Sequence, residues 1–102
     1  MHLIQLFLPV YDNNHQPFSR SQFDTVRTEL ADTFGGVTAF TRSPAAGLWE
    51  DDDGDVCRDD VVLIEVMADM LDRQWWSDYR RTLEQRFQQE EVLIRASAVE
   101  RL

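Results

Sequence analysis

The chain has 102 residues, 43% of them hydrophobic, and a formal net charge of −9 at neutral pH. That length suits one compact domain with a modest core and leaves no room for two. The acidic balance disfavours binding to a phosphate backbone, which relies on clustered positive charge to displace counterions, so nucleic acid is not an expected partner.

The apolar start from Leu3 to Val10 has no basic leader, is interrupted by Gln5 and Pro9, and runs directly into Tyr11-Asp12-Asn13-Asn14. It reads as a strand and not as a signal peptide. No stretch approaches the roughly 20 apolar residues that span a bilayer. A cytoplasmic protein without a membrane partner is the expectation. Tyr11 to Pro17 is polar and turn-rich, and Ser19 with Gln22 forms a capping box that should open a helix. The apolar positions Phe23, Val26, Leu30 and Phe34 carry that helix to Gly35-Gly36, a left-handed stop. Val37 to Arg42 is β-rich, Ser43-Pro44 breaks it, and Gly47-Leu48-Trp49 resumes it, which predicts one interrupted strand. Asp51 to Asp55, with Gly54 inside, predicts a hairpin turn leading into a strong strand from Val61 to Ala68. Asp69 or Asp72 then caps a second helix with apolar positions Trp76, Tyr79, Leu83 and Phe87. A last strand runs from Val92 to Val99.

Two sets of alternate residues define the faces of these strands. Ile4, Leu6, Leu8, then Val62, Ile64, Val66, Ala68, then Val92, Ile94, Ala96, Ala98 contain no polar side chain. The other set is apolar apart from Gln5, Glu65, and Arg95 with Ser97. A sheet facing water would be polar along one whole side, so both faces are expected to be covered. The two helices suffice for one face. The other needs a partner or a ligand.

The order β-α-β-β-α-β predicts a single α+β domain over residues 1–102, built on the ferredoxin-like split βαβ plan. Right-handed crossovers then place both helices on one face of a four-stranded antiparallel sheet, in strand order 4-1-3-2. The helices share the spacing of their apolar positions at a constant offset, as an internally doubled βαβ plan would. In layout and length the chain resembles the dimeric α/β-barrel superfamily, which includes antibiotic-biosynthesis-monooxygenase-like and stress-response barrel proteins. The segment Phe34-Gly35-Gly36-Val37-Thr38-Ala39 with Gly47-Leu48-Trp49 also resembles small bacterial proteins of unknown function. The resemblance implies two sheets packed face to face across a two-fold axis, with a ligand pocket between sheet and helices in some members. It carries over no catalytic residue and implies no cofactor, because His2 and His15 match none of the haem or metal histidines of that superfamily.

Gln5, Glu65 and Arg95 are the leading polar constellation. They could orient a polar ligand in an apolar cavity by charge-assisted hydrogen bonds. Mutual satisfaction of Glu65 and Arg95, on adjacent strands or across a dimer axis, is the stronger reading because either alone is costly to bury. Tyr11 and Trp49 complete the candidate ligand-binding set. Trp75 and Trp76 diverge by about 100° on one helix, so Trp76 continues the core stripe and Trp75 is expected at its edge, partly buried. Cys57 lies among Asp53, Asp55, Asp59 and Asp60, an environment that disfavours a reactive thiolate. With Gly54 at the sixth loop position, Trp49 stands where a calcium loop needs its first Asp, so Glu50 to Asp55 reads as a solvated tip and no metal site is expected. The chain shows no HExxH, paired CxxC, phosphate-binding glycine loop or GxSxG. The leading expectation is a homodimer joined through its open sheet faces, acting in small-molecule binding or assembly. The alternative is a cofactor-independent monooxygenase-like or isomerase-like enzyme acting on a small organic substrate through Glu65, Arg95 or Tyr11. A third class is a subunit that docks on another protein through its acidic surface.

Overall fold

Strand β1 (His2–Pro9) is hydrogen-bonded along both edges, and the other elements are arranged around it. The computed structural model of the chain describes residues 1–35, 37–40, 49–50, 56–57 and 61–102, the three short internal segments by their backbone alone. After β1 come α1 (Arg20–Phe34), β2 (Val37–Phe40), β3 (Trp49–Glu50), β4 (Val56–Cys57), β5 (Val61–Ala68), α2 (Arg73–Arg86) and β6 (Leu93–Ala98). The chain is α+β, as its pattern of periods implies. β1, β5 and β6 form an antiparallel core sheet, and the backbone of β2 pairs antiparallel along the far edge of β5, in the order β2-β5-β1-β6. The Val99 N–H to Met1 carbonyl bond, 3.0 Å, continues the β1–β6 ladder past its last pair.

α1 starts and stops where its residues dictate, and α2 starts where its own do. The Ser19 N–H donates to Gln22 Oε1 at 3.1 Å, the reciprocal arm of the capping box. Gly35 closes α1 at φ +82°, a left-handed conformation that a Cβ would strain, and its N–H reaches the Ala31 carbonyl at 2.8 Å. For α2, Asp72 and not Asp69 is the cap, accepting the Trp75 N–H at 3.1 Å.

The even-numbered residues of β1 and β5 make the floor of the core. Ile4, Leu6, Leu8, Val62, Ile64 and Val66 are all buried, beneath Phe23, Val26 and Leu30 of α1 and Trp76, Tyr79 and Leu83 of α2. Two aromatic groups close the core. Phe34 stacks on Trp76, centroids 5.1 Å apart, and meets Trp75 edge-on, while Phe18 and Phe23 both pack on Phe87. Trp75 is half-buried at the stripe's edge and stacked on Tyr79 at 4.9 Å. Cover is thinner over β6, where Ile94 is half-buried but Ala96 and Ala98 are exposed.

Two expectations need correction. The predicted interrupted strand from Val37 to Trp49 is two strands in separate sheets, since β2 joins β5 whereas β3 pairs only with β4, with Trp49 opposite Cys57 and Glu50 opposite Val56. The hairpin therefore does not run from Trp49 into the Val61 strand. Propensity identifies segments that favour extended backbone, but the partner depends on which neighbour completes the ladder. The segments 41–48, 51–55 and 58–60, with the acidic tip, lie outside the described residues.

An ion pair ties the two helices together. Arg86 grips Glu29 with both terminal nitrogens, Nη1 to Oε1 and Nη2 to Oε2 at 2.9 Å, and the Tyr79 hydroxyl donates to Glu29 Oε1 at 3.2 Å. The Arg86 hydrogen bonds hold the Glu29 carboxyl below its ordinary range, while burial, then the Glu29 charge, pushes the Tyr79 phenol up. Both charged side chains are 37% exposed, so solvent screens the pair and its contribution is about 0.5–1 kcal/mol. A carboxyl with a depressed folded pKa stabilises above its unfolded pKa and loses that contribution as pH falls through the folded value. Glu29→Gln is therefore expected to cost about 0.5–1 kcal/mol at pH 7, and the gap from the parent chain to shrink between about pH 5 and pH 3, in urea unfolding curves across that range.

Candidate functional site

Because both helices occupy one face, the odd-numbered residues of the core strands form a face that no described helix covers. Leu3, Gln5, Phe7, Leu63 and Glu65 are half-buried there, and Met67 and Leu93 are 43% and 50% exposed. The register sets Gln5 directly opposite Glu65 on one side and Arg95 on the other. Strand alternation then puts all three side chains in one row across the sheet.

That row is hydrogen-bonded end to end. The Gln5 Nε2 amide donates to Glu65 Oε2 at 2.9 Å, and Arg95 Nε donates to Gln5 Oε1 at 2.8 Å. The amide orientation follows from chemistry, since only a carbonyl oxygen can face the guanidinium and only an NH2 can face the carboxylate. The Arg95 guanidinium also lies 4.9 Å from the centre of the Phe7 ring, a cation–π contact that steadies it against the face. Glu65 and Arg95 do not satisfy one another within the chain as adjacent-strand partners, because β1 stands between them and holds them about 10 Å apart, two strand spacings. Gln5 relays between the charges. Glu65 Oε1 and the terminal nitrogens of Arg95 have no partner among the described residues, so the row offers an acceptor at one end and donors at the other.

Two depressions flank the row, one beyond each end of β1. The larger, about 940 Å³, is bordered by Leu3, Phe34, Glu65, Met67 and Met70. The smaller, about 480 Å³, is bordered by Phe7, Tyr11, His15, Val61 and Leu93. Tyr11 is thus set at the opposite end of the face from Met67. Its loop is tightly built, with Tyr11 bridged to Pro17 and Asp12 Oδ1 accepting the N–H groups of Asn14 and Gln16, each at 2.8 Å. The backbone of Trp49 lies in β3, paired with Cys57, and its side chain is outside the described residues. Of the five candidates, then, Gln5, Glu65 and Arg95 come together as a bonded row and Tyr11 lines a neighbouring depression. Sequence reasoning missed the Glu29–Tyr79–Arg86 cluster. Opposite charges beside the two apolar stripes, Glu29 next to Leu30 and Arg86 next to Phe87, were the available signal.

Among the described residues no group of three His, Cys, Asp or Glu side chains is placed to hold a metal ion, and no helix is long and apolar enough to cross a membrane. No family model matches the chain, and neither a curated protein nor a solved structure is significantly similar to it.

Removing the relay tests its geometry. Gln5→Leu leaves Glu65 and Arg95 without the amide that joins them, so a loss of about 1–2 kcal/mol at pH 7 is expected, as read from urea midpoints.

Proposed function

We propose that the chain is a ferredoxin-like unit acting as a homodimer, two copies packing through the helix-free sheet face into a dimeric α/β-barrel-like assembly that encloses a binding space for a small, largely apolar molecule. The single observation that carries this reading is the Glu65–Gln5–Arg95 row, an acceptor and a donor set disposed symmetrically about a central amide on a face that is mostly apolar. A row of negative, neutral and positive groups is self-complementary under a two-fold rotation. An axis parallel to β1 lays Glu65 of one copy over Arg95 of the other, while an axis across the strands sets like charge on like charge. Charge therefore selects the first arrangement. Aligned sheet packing tolerates it, given the usual offset of about 30° between stacked sheets.

Area supports a second copy as the occupant. β1 and β5 are eight residues long, β6 six and β2 four, so the face projects to roughly 400 Å². Side-chain relief increases that, toward the roughly 800 Å² per partner of a standard interface. The two flanking depressions each meet their own counterpart under the same axis, which makes them the natural binding spaces. Leu3, Met67, Phe7 and Leu93 supply their apolar walls, and Tyr11 a polar group at one rim.

Light scattering over a concentration series tests the reading. A dimer is expected for the parent chain. Glu65→Arg and Arg95→Glu alone, each setting like charges together, are expected to weaken association at least tenfold. The double reversal is expected to restore it, because the exchanged row remains self-complementary. A parent chain that stays monomeric throughout, or a double reversal no better than the singles, overturns the assembly.

A further inference from the structure

β6 (Leu93–Ala98) stands at one end of the four-stranded sheet and is paired along one side only, with β1. The Val99 N–H donates to the Met1 carbonyl in continuation of that ladder, which marks the odd-numbered residues of β6 as those bonded to β1. The N–H and C=O groups of Ile94, Ala96 and Ala98 therefore point outward, away from β1. Little guards them. Ala96 and Ala98 are exposed and Ile94 is half-buried, with a hollow of about 240 Å³, bordered by Arg73, Ser77 and Arg80, between α2 and the strand. β6 contains no proline, and its register with β1 runs without a bulge, so it lacks two of the usual devices that blunt a sheet edge.

We propose that this edge pairs with the same edge of a second copy, antiparallel and centred on Ala96, joining two sheets into one. Outward groups placed evenly about Ala96 are self-complementary under a two-fold axis perpendicular to the sheet. Ala96 exchanges both backbone bonds with the partner's Ala96, and Ile94 does so with the partner's Ala98. The side chains agree with the backbone. On the helix-free face this register sets Arg95 opposite the partner's Ser97, a hydroxyl acceptor for the guanidinium, and Leu93, 50% exposed, opposite the partner's Val99. Beyond the strand it brings Glu91 level with the partner's Arg101, opposite charges at each end of the contact.

The neighbouring registers are poorer. Centring on Ile94 calls for the Val92 N–H, which Glu84 already holds at 3.0 Å. Centring on Arg95 sets it against the partner's Arg95, and centring on Ser97 lays Leu93 and Ile94 against the partner's Arg101 and Glu100. The small side chains of Ala96, Ser97 and Ala98 let the strands approach but bury little area, so the contact is weak beside an interface of roughly 800 Å² per partner. It does not rest on the sheet-face dimer. The axis of that dimer runs along β1 and does not meet this one, so use of both surfaces links copies into an open chain.

Amide hydrogen exchange of the isotope-labelled full chain, read by nuclear magnetic resonance at low and at millimolar concentration, tests the pairing. Exchange at Ile94, Ala96 and Ala98 is expected to slow about tenfold at the higher concentration, while Arg95 and Ser97, already bonded to β1, change much less. Packing through the sheet face alone protects no such alternate set. Glu65→Arg, which weakens the sheet face, is expected to leave the effect in place. Ala96→Pro removes the central outward donor without removing a bond to β1, and is expected to abolish the effect at Ile94 and Ala98. If Ala96→Pro does not fold, the exposed change Ser97→Arg, which sets like charge against the partner's Arg95, is expected to weaken the pairing about tenfold. Exchange that does not depend on concentration overturns the edge pairing, as does equal slowing at odd and even residues of β6. Loss of the effect in folded Glu65→Arg, or its persistence in the folded edge variants, overturns it too.

Discussion

β1 is paired on both sides, with β5 and with β6, and its two-residue alternation is therefore imposed on three strands at once. When Ile4, Leu6 and Leu8 turn into the core, the register obliges Val62, Ile64 and Val66 to turn with them, and it sends Gln5, Glu65 and Arg95 together to the other side. A shift of one residue along either ladder would bury the charged row under the helices and expose the aliphatic floor. The penalty for burying charge and the gain from burying aliphatic surface thus enforce the same register. The helices follow from that choice. Phe23, Val26 and Leu30, with Trp76, Tyr79 and Leu83, have one apolar floor available and both stripes seal onto it.

Charge is distributed by element rather than spread evenly. Most of the described acidic residues are exposed, whereas several arginines have specific tasks. Arg86 joins the two helices through Glu29, Arg95 ends the polar row and rests on Phe7, and Arg80 borders the hollow beside β6. A guanidinium suits each place because it is planar, permanently charged and able to donate in several directions while its stem packs against apolar surface. The Gln5 amide has a comparable role in the sheet. As the one neutral group that donates and accepts at once, it connects two opposite charges that the strand spacing keeps apart.

The two sides of the sheet consequently offer different chemistry. The helix-free face is broad, apolar and crossed by a self-complementary polar row, features suited to a flat partner with the same pattern. The hollow between α2 and β6 is narrow, bordered by cations and backed by aliphatic side chains. α2 covers Ile94 only in part and leaves Ala96 exposed beside it. Edge strands are seldom left plain in soluble proteins. Here the edge supplies one wall of a concave surface.

Local periodicity, a property of the chain alone, determined the two helices with their Ser19 start and Gly35 stop, the core stripes, the strong strands and the membership of Gln5, Glu65 and Arg95 in one set of alternate residues. Side-chain direction in a regular element repeats with a known period, so those features needed no partner to be read. Whatever depended on a partner was decided in three dimensions. The relay through Gln5 required knowing that β1 lies between β5 and β6, and the split of the Val37-to-Trp49 segment into β2 and β3 required knowing which ladder each half completes. The Glu29–Tyr79–Arg86 cluster and the hollow between α2 and β6 needed the relative placement of elements distant in the chain. Contacts of that kind are set by how whole faces bury against each other, a constraint that no local window of residues contains.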